Sequence, residues 1–86
     1  EFVVSNQLLK SATSIGANIE EAHAAFSRND FVAKLSIASK EARETRYWLR
    51  LIRDTKIIEF DEGILSLANE LVNILTSSVK TIQENP

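Results

Sequence analysis

Three segments of the chain carry apolar or small residues at alternating spacings of four and three residues. Because an α-helix turns by about 100° per residue, this spacing gathers each set on one stripe along a helix. The three apolar stripes are Leu8, Ala12, Ile15, Ile19, Ala22 and Phe26; Phe31, Leu35, Ala38, Ala42, Thr45, Leu49 and Ile52; and Ile64, Ala68, Leu71, Leu75, Ser78 and Ile82. The sequence therefore predicts an all-α fold, an antiparallel up-and-down helical bundle.

The composition is that of one small domain covering residues 1–86. The chain is 44% hydrophobic and 26% charged and carries a net charge of −2, which is the balance of ordinary globular domains. No apolar run is long enough for a membrane-spanning helix or a signal peptide, and the absence of Cys excludes disulfides and thiolate metal sites. We expect a cytoplasmic protein. The chain also lacks Met, which indicates a fragment or a processed chain.

Capping residues predict three helices, over about residues 6–25, 28–54 and 61–84. The expected caps are Ser5 or Asn6, then Ser27, then Asp61. Acidic residues at Asp30 and Glu62 would lie in the first turns of the second and third helices, where the helix dipole favours them. Residues 2–4 are then expected to end a connection from an upstream helix, and residues 57–60 to connect the last two helices.

The second helix carries a further stripe beside its apolar one. This interface stripe consists of Ile37, Glu41, Glu44, Trp48 and Leu51. Apolar character then covers about half of the helix circumference, more than one pair of neighbouring helices requires. Because Trp is a frequent anchor of protein interfaces, we expect the chain to form a homo-oligomer through this stripe.

Basic residues occupy another side of the same helix. This basic edge consists of Arg43, Arg46, Arg50, Arg53 and Lys56. Arginines at such a spacing could follow a phosphate backbone, so the basic edge is the candidate RNA-binding surface. Alternatively, it is a solvated face, or its arginines pair with acids on a neighbouring helix or subunit, such as Glu59, Asp61, Glu62 and Glu70. The net negative charge and the lack of interleaved aromatic residues count against RNA.

Short polar side chains share one edge of the first helix, beside its apolar stripe. They are Ser11, Ser14, Asn18 and Glu21. We interpret Ser14, Asn18 and Glu21 as a polar network between helices that specifies their register. The alternative is a contact with a ligand or a nucleic acid.

Nearly the whole chain resembles a known family. The run from Gln7 to Ala22, QLLKSATSIGANIEEA, followed by Ser27, Asp30-Phe31, Ala38, Glu44 and Tyr47-Trp48-Leu49, closely resembles the bacterial four helix bundle protein family. Its members include proteins encoded in intervening sequences of 23S ribosomal RNA genes. The resemblance implies a four-helix bundle whose first helix this chain lacks, assembled into a ring, commonly a pentamer. A similar fold serves as an RNA- and reverse-transcriptase-binding accessory protein in diversity-generating retroelements.

Catalysis has little support in the sequence. Glu20 and His23 form one Glu-x-x-His pair, which is half of the ligand pattern of di-iron carboxylate bundles, but His23 is the sole His and no phosphate-binding glycine loop exists. We expect no catalytic residue, metal, cofactor, membrane contact or small-molecule substrate. The predicted function is a non-enzymatic oligomeric interaction module that associates with RNA or a ribonucleoprotein. The alternative is a purely structural or scaffolding homo-oligomer.

Overall fold

The computed structural model describes residues 2–56 and 61–84, except for the side chain of Phe2. Over these residues the fold is all-α, as predicted. Helix α1 spans Phe2–His23, α2 spans Arg28–Thr55 and α3 spans Glu62–Glu84. Within the same ranges, no helix combines the length and the apolar character needed to cross a membrane.

Side-chain caps begin α2 and α3 where the sequence predicts them. The Oγ of Ser27 accepts a hydrogen bond from the backbone N–H of Asp30 at 3.1 Å. The Oδ1 of Asp61 accepts one from the backbone N–H of Gly63 at 2.8 Å. Each bond satisfies a backbone donor that a helix start leaves without an intrahelical partner. At the other end of α2, Lys56 adopts a left-handed conformation with φ 54° and ψ 33°, which terminates the helix.

The start of α1 differs from the prediction. The helix begins at Phe2, before both Ser5 and Asn6, and it ends at His23 rather than near residue 25. Residues 2–4 are therefore helical and do not form the expected connection. A capping residue favours the start of a helix, but it can also lie inside a helix that begins earlier. Residues 2–6 contain neither Gly nor Pro, so nothing in them interrupts the helix. The predicted connection over residues 57–60 lies outside the described residues.

Helix α2 runs antiparallel to α1. The Oγ1 of Thr45 donates to the Oγ of Ser11 at 3.0 Å, and the Nζ of Lys34 lies 3.7 Å from the Oε2 of Glu21. Residue numbers thus rise along α2 as they fall along α1.

The same relation holds between α2 and α3. The guanidinium of Arg28 donates to the carbonyl of Ile82, and the Nη2 of Arg43 donates to the Oγ1 of Thr76 at 3.0 Å. Helix α2 therefore lies between two antiparallel neighbours, and the predicted up-and-down order is confirmed for these three helices.

The three helices form an L in cross-section, with α2 at the corner. Among the described residues, no Cα of α1 lies within 8 Å of a Cα of α3. With axes about 10 Å apart and a Cα radius of about 2.3 Å, an L would measure roughly 19 by 12 Å across and a closed triangle roughly 15 by 13 Å. The observed cross-section is 20 by 14 Å, over a length of 45 Å, so it matches the L.

The core lies in the inner angle of the L. Its buried apolar residues are Ile15 and Ala22 from α1; Leu35, Ala38, Ala42, Leu49 and Ile52 from α2; and Leu65, Ala68, Val72 and Leu75 from α3. The second apolar stripe is buried throughout, apart from the half-buried Phe31. Ala38 and Ala42, which are 0% and 1% exposed, provide little side-chain bulk at the centre of α2.

The first and third apolar stripes are buried less completely than predicted. Ala12 is exposed, and Ile19 and Ile64 are 38% and 50% exposed. Phe26 lies beyond the end of α1 and is fully exposed. Ile15 of the first stripe and Leu75 of the third belong to the buried core, so each stripe is buried along only part of its length.

Candidate functional site

Helix α2 positions the basic edge beside α3. Helical periodicity places the four arginines on one side of α2, and Lys56 follows at the end of the helix. Arg43, Arg50 and Lys56 are exposed, whereas Arg46 and Arg53 are half-buried. The structure therefore brings the predicted basic residues together along one surface.

The electrostatics of Arg46 show that positive charge is concentrated on this edge. Desolvation lowers the pKa of Arg46 below its usual value, and the positive charges of Arg50 and Arg43 lower it further. No carboxylate appears among the causes of the shift. Because a guanidinium stays protonated in proteins, these groups remain cationic while close to one another. The result is a local positive potential on a chain whose net charge is negative.

Arg53 differs from the other three arginines because it has acidic neighbours. Its Nε donates to the Oδ1 of Asp54 at 2.9 Å. That hydrogen bond is the largest cause that raises the pKa of Arg53, and the charges of Asp54 and Glu62 raise it as well. Much of its charge is therefore balanced by acidic residues of the same chain.

The remaining three arginines have no acidic partner in the described part of the chain. Arg43 donates to the neutral hydroxyl of Thr76. Over residues 2–56 and 61–84, the ion pairs within 4.0 Å join Lys34 to Glu21 and Arg53 to Asp54. Arg43, Arg46 and Arg50, which we call the unpaired arginines, therefore lack such a pair.

Among the described residues, the predicted acidic partners accordingly form no ion pair with the unpaired arginines. Of the four candidates, Glu62 acts on Arg53. Asp61 and Glu70 make no ion pair with described residues, and Glu59 lies outside the described part of the chain.

A polar pocket adjoins the basic edge at Arg43. It has a volume of about 290 Å³, lies between α2 and α3, and is lined by Ser36, Ser39, Lys40, Arg43, Thr76, Val79, Lys80 and Gln83. The pocket was not predicted from the sequence, because no periodicity along one helix relates Lys40 to Lys80. The available signal was the position of Lys40 one turn before Arg43.

The interface stripe is less exposed than the sequence suggested. Ile37 is 40% exposed, whereas the other four members are half-buried. The stripe borders the face of α2 that packs on α1, which accounts for this partial cover. The rings of Trp48 and Tyr47 meet edge to face, with centroids 5.0 Å apart. The indole Nε1 of Trp48 is buried and has no hydrogen-bond partner among the described residues.

The predicted polar network is divided in the structure. The Nδ2 of the buried Asn18 donates to the carbonyl of Ser14 at 2.9 Å and to its Oγ at 3.2 Å, so this part lies within α1. Glu21 is exposed and pairs with Lys34 of α2. Asn18 and Ser14 thus bond within one helix, and of the three predicted residues only Glu21 contacts another helix.

A different pair forms the buried interhelix hydrogen bond. Ser11 and Thr45 are 2% and 9% exposed, and their hydroxyl oxygens lie 3.0 Å apart. In the sequence, Ser11 belongs to the polar edge of α1 and Thr45 to the apolar stripe of α2. A contact between their hydroxyls was therefore not predicted.

The Glu-x-x-His pair lies beside an apolar pocket. Glu20 and His23 are exposed, and with Gly16, Ile19, Ala22, Phe31 and Leu35 they line a pocket of about 440 Å³. Across residues 2–56 and 61–84, no three potential metal-ligating side chains are grouped together. The pair therefore gains no further ligand from the described fold.

The fold is similar to a solved structure from Bacteroides thetaiotaomicron VPI-5482, described as a protein with unknown function from the S23 ribosomal protein family. The two chains are 51% identical, with a TM-score of 0.86, and the match covers 93% of this chain and 76% of that chain. No curated protein matches this chain. The sequence model of the 23S rRNA-intervening sequence protein family matches residues 1–77, which include α1, α2 and most of α3. The chain therefore belongs to the 23S rRNA-intervening sequence protein family.

Proposed function

We propose that the protein is a non-enzymatic, oligomeric interaction module that binds RNA through the basic edge. The observation that carries this proposal is the set of unpaired arginines. Arg46 lies close enough to Arg50 and Arg43 for their charges to lower its pKa, and no described carboxylate forms an ion pair with any of the three. A polyanion would supply the missing negative charge.

The spacing of the unpaired arginines suits a nucleic-acid backbone. Arg43 and Arg50 are seven residues apart, which corresponds to about 10.5 Å along a helix that rises about 1.5 Å per residue. A stacked strand carries one phosphate per roughly 3.4 Å, so this length spans about three phosphates. Because the contacts would go to phosphates, we expect RNA binding with little sequence preference.

Self-association would strengthen this contact. A homo-oligomeric ring, such as a pentamer, would repeat the basic edge in every subunit and convert weak contacts into tighter multivalent binding. Exposed apolar side chains support assembly. They include Leu9, Leu67 and Ile74 at 62%, 65% and 61% exposure. The interface stripe, with Ile37 exposed and Trp48 half-buried, is the proposed contact between subunits.

The same apolar surfaces favour a second candidate function, a structural homo-oligomer without nucleic-acid binding. In that case the unpaired arginines would pair with acids of a neighbouring subunit. Glu70 and Asp61 are exposed and are suitable partners. The two functions differ in what the arginines contact, so removal of one arginine charge separates them.

The test measures RNA binding over a salt series, with oligomeric mass determined on the same samples. If the unpaired arginines contact phosphates, Arg46→Gln should reduce the slope of log affinity against log salt by about 0.7. Lys10→Gln, which removes an exposed charge from α1, is the matched control and should leave the slope unchanged.

Two results would contradict RNA binding by this edge. One is a wild type that binds no RNA at low salt, which would favour the structural oligomer. The other is an Arg46→Gln variant with intact oligomeric mass and an unchanged slope. A lower mass for Arg46→Gln alone would indicate that the arginine pairs between subunits.

A further inference from the structure

The polar pocket between α2 and α3 gathers positively charged side chains from both helices. Lys40 and Arg43 line it from α2, and Lys80 lines it from α3. No carboxylate lines the pocket, and neither lysine forms an ion pair among the described residues. Three cations therefore surround one cavity without a compensating charge from the described chain.

Neutral hydrogen-bonding groups accompany these cations. Ser39 is only 7% exposed, and in the described structure its hydroxyl makes no hydrogen bond. By contrast, the hydroxyl of Ser78 donates to the carbonyl of Ile74 four residues earlier, at 2.8 Å. The hydroxyl of Ser39 is therefore free to bond to a molecule in the pocket.

The two walls of the pocket are held at a defined separation. The Nη2 of Arg43 donates to the Oγ1 of Thr76 at 3.0 Å, which ties α2 to α3 at one side of the cavity. The half-buried Val79 contributes an apolar part of the lining. The cations and hydroxyls are thus carried by two packed helices rather than by loops.

We propose that this pocket binds the phosphate group of a phosphate monoester. A monoester carries a charge of about −1.5 to −2 at pH 7 and three acceptor oxygens, which suits three cations and nearby hydroxyl donors. A backbone phosphodiester carries one negative charge per phosphate and would leave more of the positive charge uncompensated. The monoester can come from two sources, a small phosphorylated molecule or the terminal phosphate of an RNA. The second source rests on the proposed RNA binding. The proposal that the pocket binds a phosphate monoester does not.

The first experiment follows the backbone amide signals of the full chain by NMR during titration with methyl phosphate. Dimethyl phosphate is the diester probe, and sodium chloride at equal ionic strength is the salt control. We expect saturable changes at the amides of Ser39, Thr76 and Lys80. Methyl phosphate should bind about tenfold more tightly than dimethyl phosphate, the change expected when a charge-assisted hydrogen bond is lost.

Variants then locate the binding site. Lys80→Gln should weaken methyl phosphate binding by about tenfold, and Ser39→Ala by several-fold. The matched controls are Lys10→Gln and Ser78→Ala, which remove the same groups outside the pocket, and each should change affinity by less than about twofold. Circular dichroism checks that every variant remains folded. Changes that do not saturate, or that sodium chloride reproduces, would overturn the proposal, as would equal effects of Lys80→Gln and Lys10→Gln.

RNA oligonucleotides with a 5′-phosphate or a 5′-hydroxyl distinguish the two sources. If the terminal phosphate of RNA is bound, the 5′-phosphorylated form should bind about tenfold more tightly, and Lys80→Gln should remove that difference. Equal affinity for both forms, together with saturable methyl phosphate binding, assigns the pocket to a small phosphorylated molecule. A failure of all RNA binding would reject the proposed function. The methyl phosphate titration would still show whether the pocket binds a phosphate monoester.

Discussion

The buried hydroxyl pair of Ser11 and Thr45 allows a quantitative test of how α1 and α2 are held together. Thr45→Val removes the hydroxyl and keeps the side-chain shape. The lost bond joins two residues that are 2% and 9% exposed, with 3.0 Å between the oxygens. A typical net contribution of such a bond is about 1 kcal/mol.

Each hydroxyl also has a carbonyl of its own helix within reach, and this limits the cost. The Oγ1 of Thr45 lies 2.9 Å from the carbonyl oxygen of Glu41, and the Oγ of Ser11 lies 3.1 Å from that of Leu8. Because a hydroxyl has one proton to donate, the remaining partner in a single variant can still satisfy it locally. The extra ~1 to 3 kcal/mol for an orphaned buried donor should therefore not appear.

We thus expect Thr45→Val and Ser11→Ala each to lower the free energy of unfolding by about 0.5–1.5 kcal/mol. The double variant should cost about as much as one single variant, giving a coupling energy of about 1 kcal/mol. Urea unfolding followed by circular dichroism measures these values. It is carried out at more than one protein concentration, because the proposed self-association would add to stability. Thr13→Val is the matched control, since Thr13 bonds only within α1 and is exposed; it should change stability by less than about 0.5 kcal/mol.

Either of two results would refute this reasoning. A single variant that costs more than about 3 kcal/mol would mean that the local carbonyl does not satisfy the remaining hydroxyl. A coupling energy near zero would mean that the two hydroxyls do not interact in solution.

Three further predictions concern a helix start, a helix end and the interface stripe. Ser27→Ala removes the cap of α2 and should destabilise the protein by about 1 kcal/mol in urea unfolding; an unchanged midpoint would contradict the capping role. Lys56→Gly should stabilise it by up to about 1 kcal/mol, because Lys56 has a left-handed conformation that costs a non-glycine residue energy; a lower midpoint would show that the lysine side chain itself matters. Trp48→Ala should lower the oligomeric mass in sedimentation while retaining helicity, and Trp48→Phe, which removes the unpartnered Nε1, should keep the mass; a monomeric wild type would refute this assignment.

Structural features that depend on residues close together in the chain could be predicted from the sequence alone. The caps at Ser27 and Asp61 were predictable because a side-chain oxygen there meets a backbone N–H two or three residues later. The apolar stripe of α2 was equally predictable, because α2 has a neighbour on each side and buries the stripe from Leu35 to Ile52. The start of α1 at Phe2 was not predictable, since Ser5 and Asn6 are compatible with both a cap and a helix interior.

The features that carry the candidate function depend on how the helices are placed in space. Periodicity along α2 predicted that the arginines share a side, but whether acids neutralise them depends on the position of α3. The partial exposure of Ile19 and Ile64 follows from the L-shaped cross-section, which no single helix encodes. The pocket between Lys40 and Lys80 likewise exists only because α2 and α3 pack antiparallel in one particular register. The side chains that share one face of a helix follow from helical periodicity, so they can be predicted from the sequence. The side chains that meet between helices depend on how the helices pack, and the whole core decides that packing.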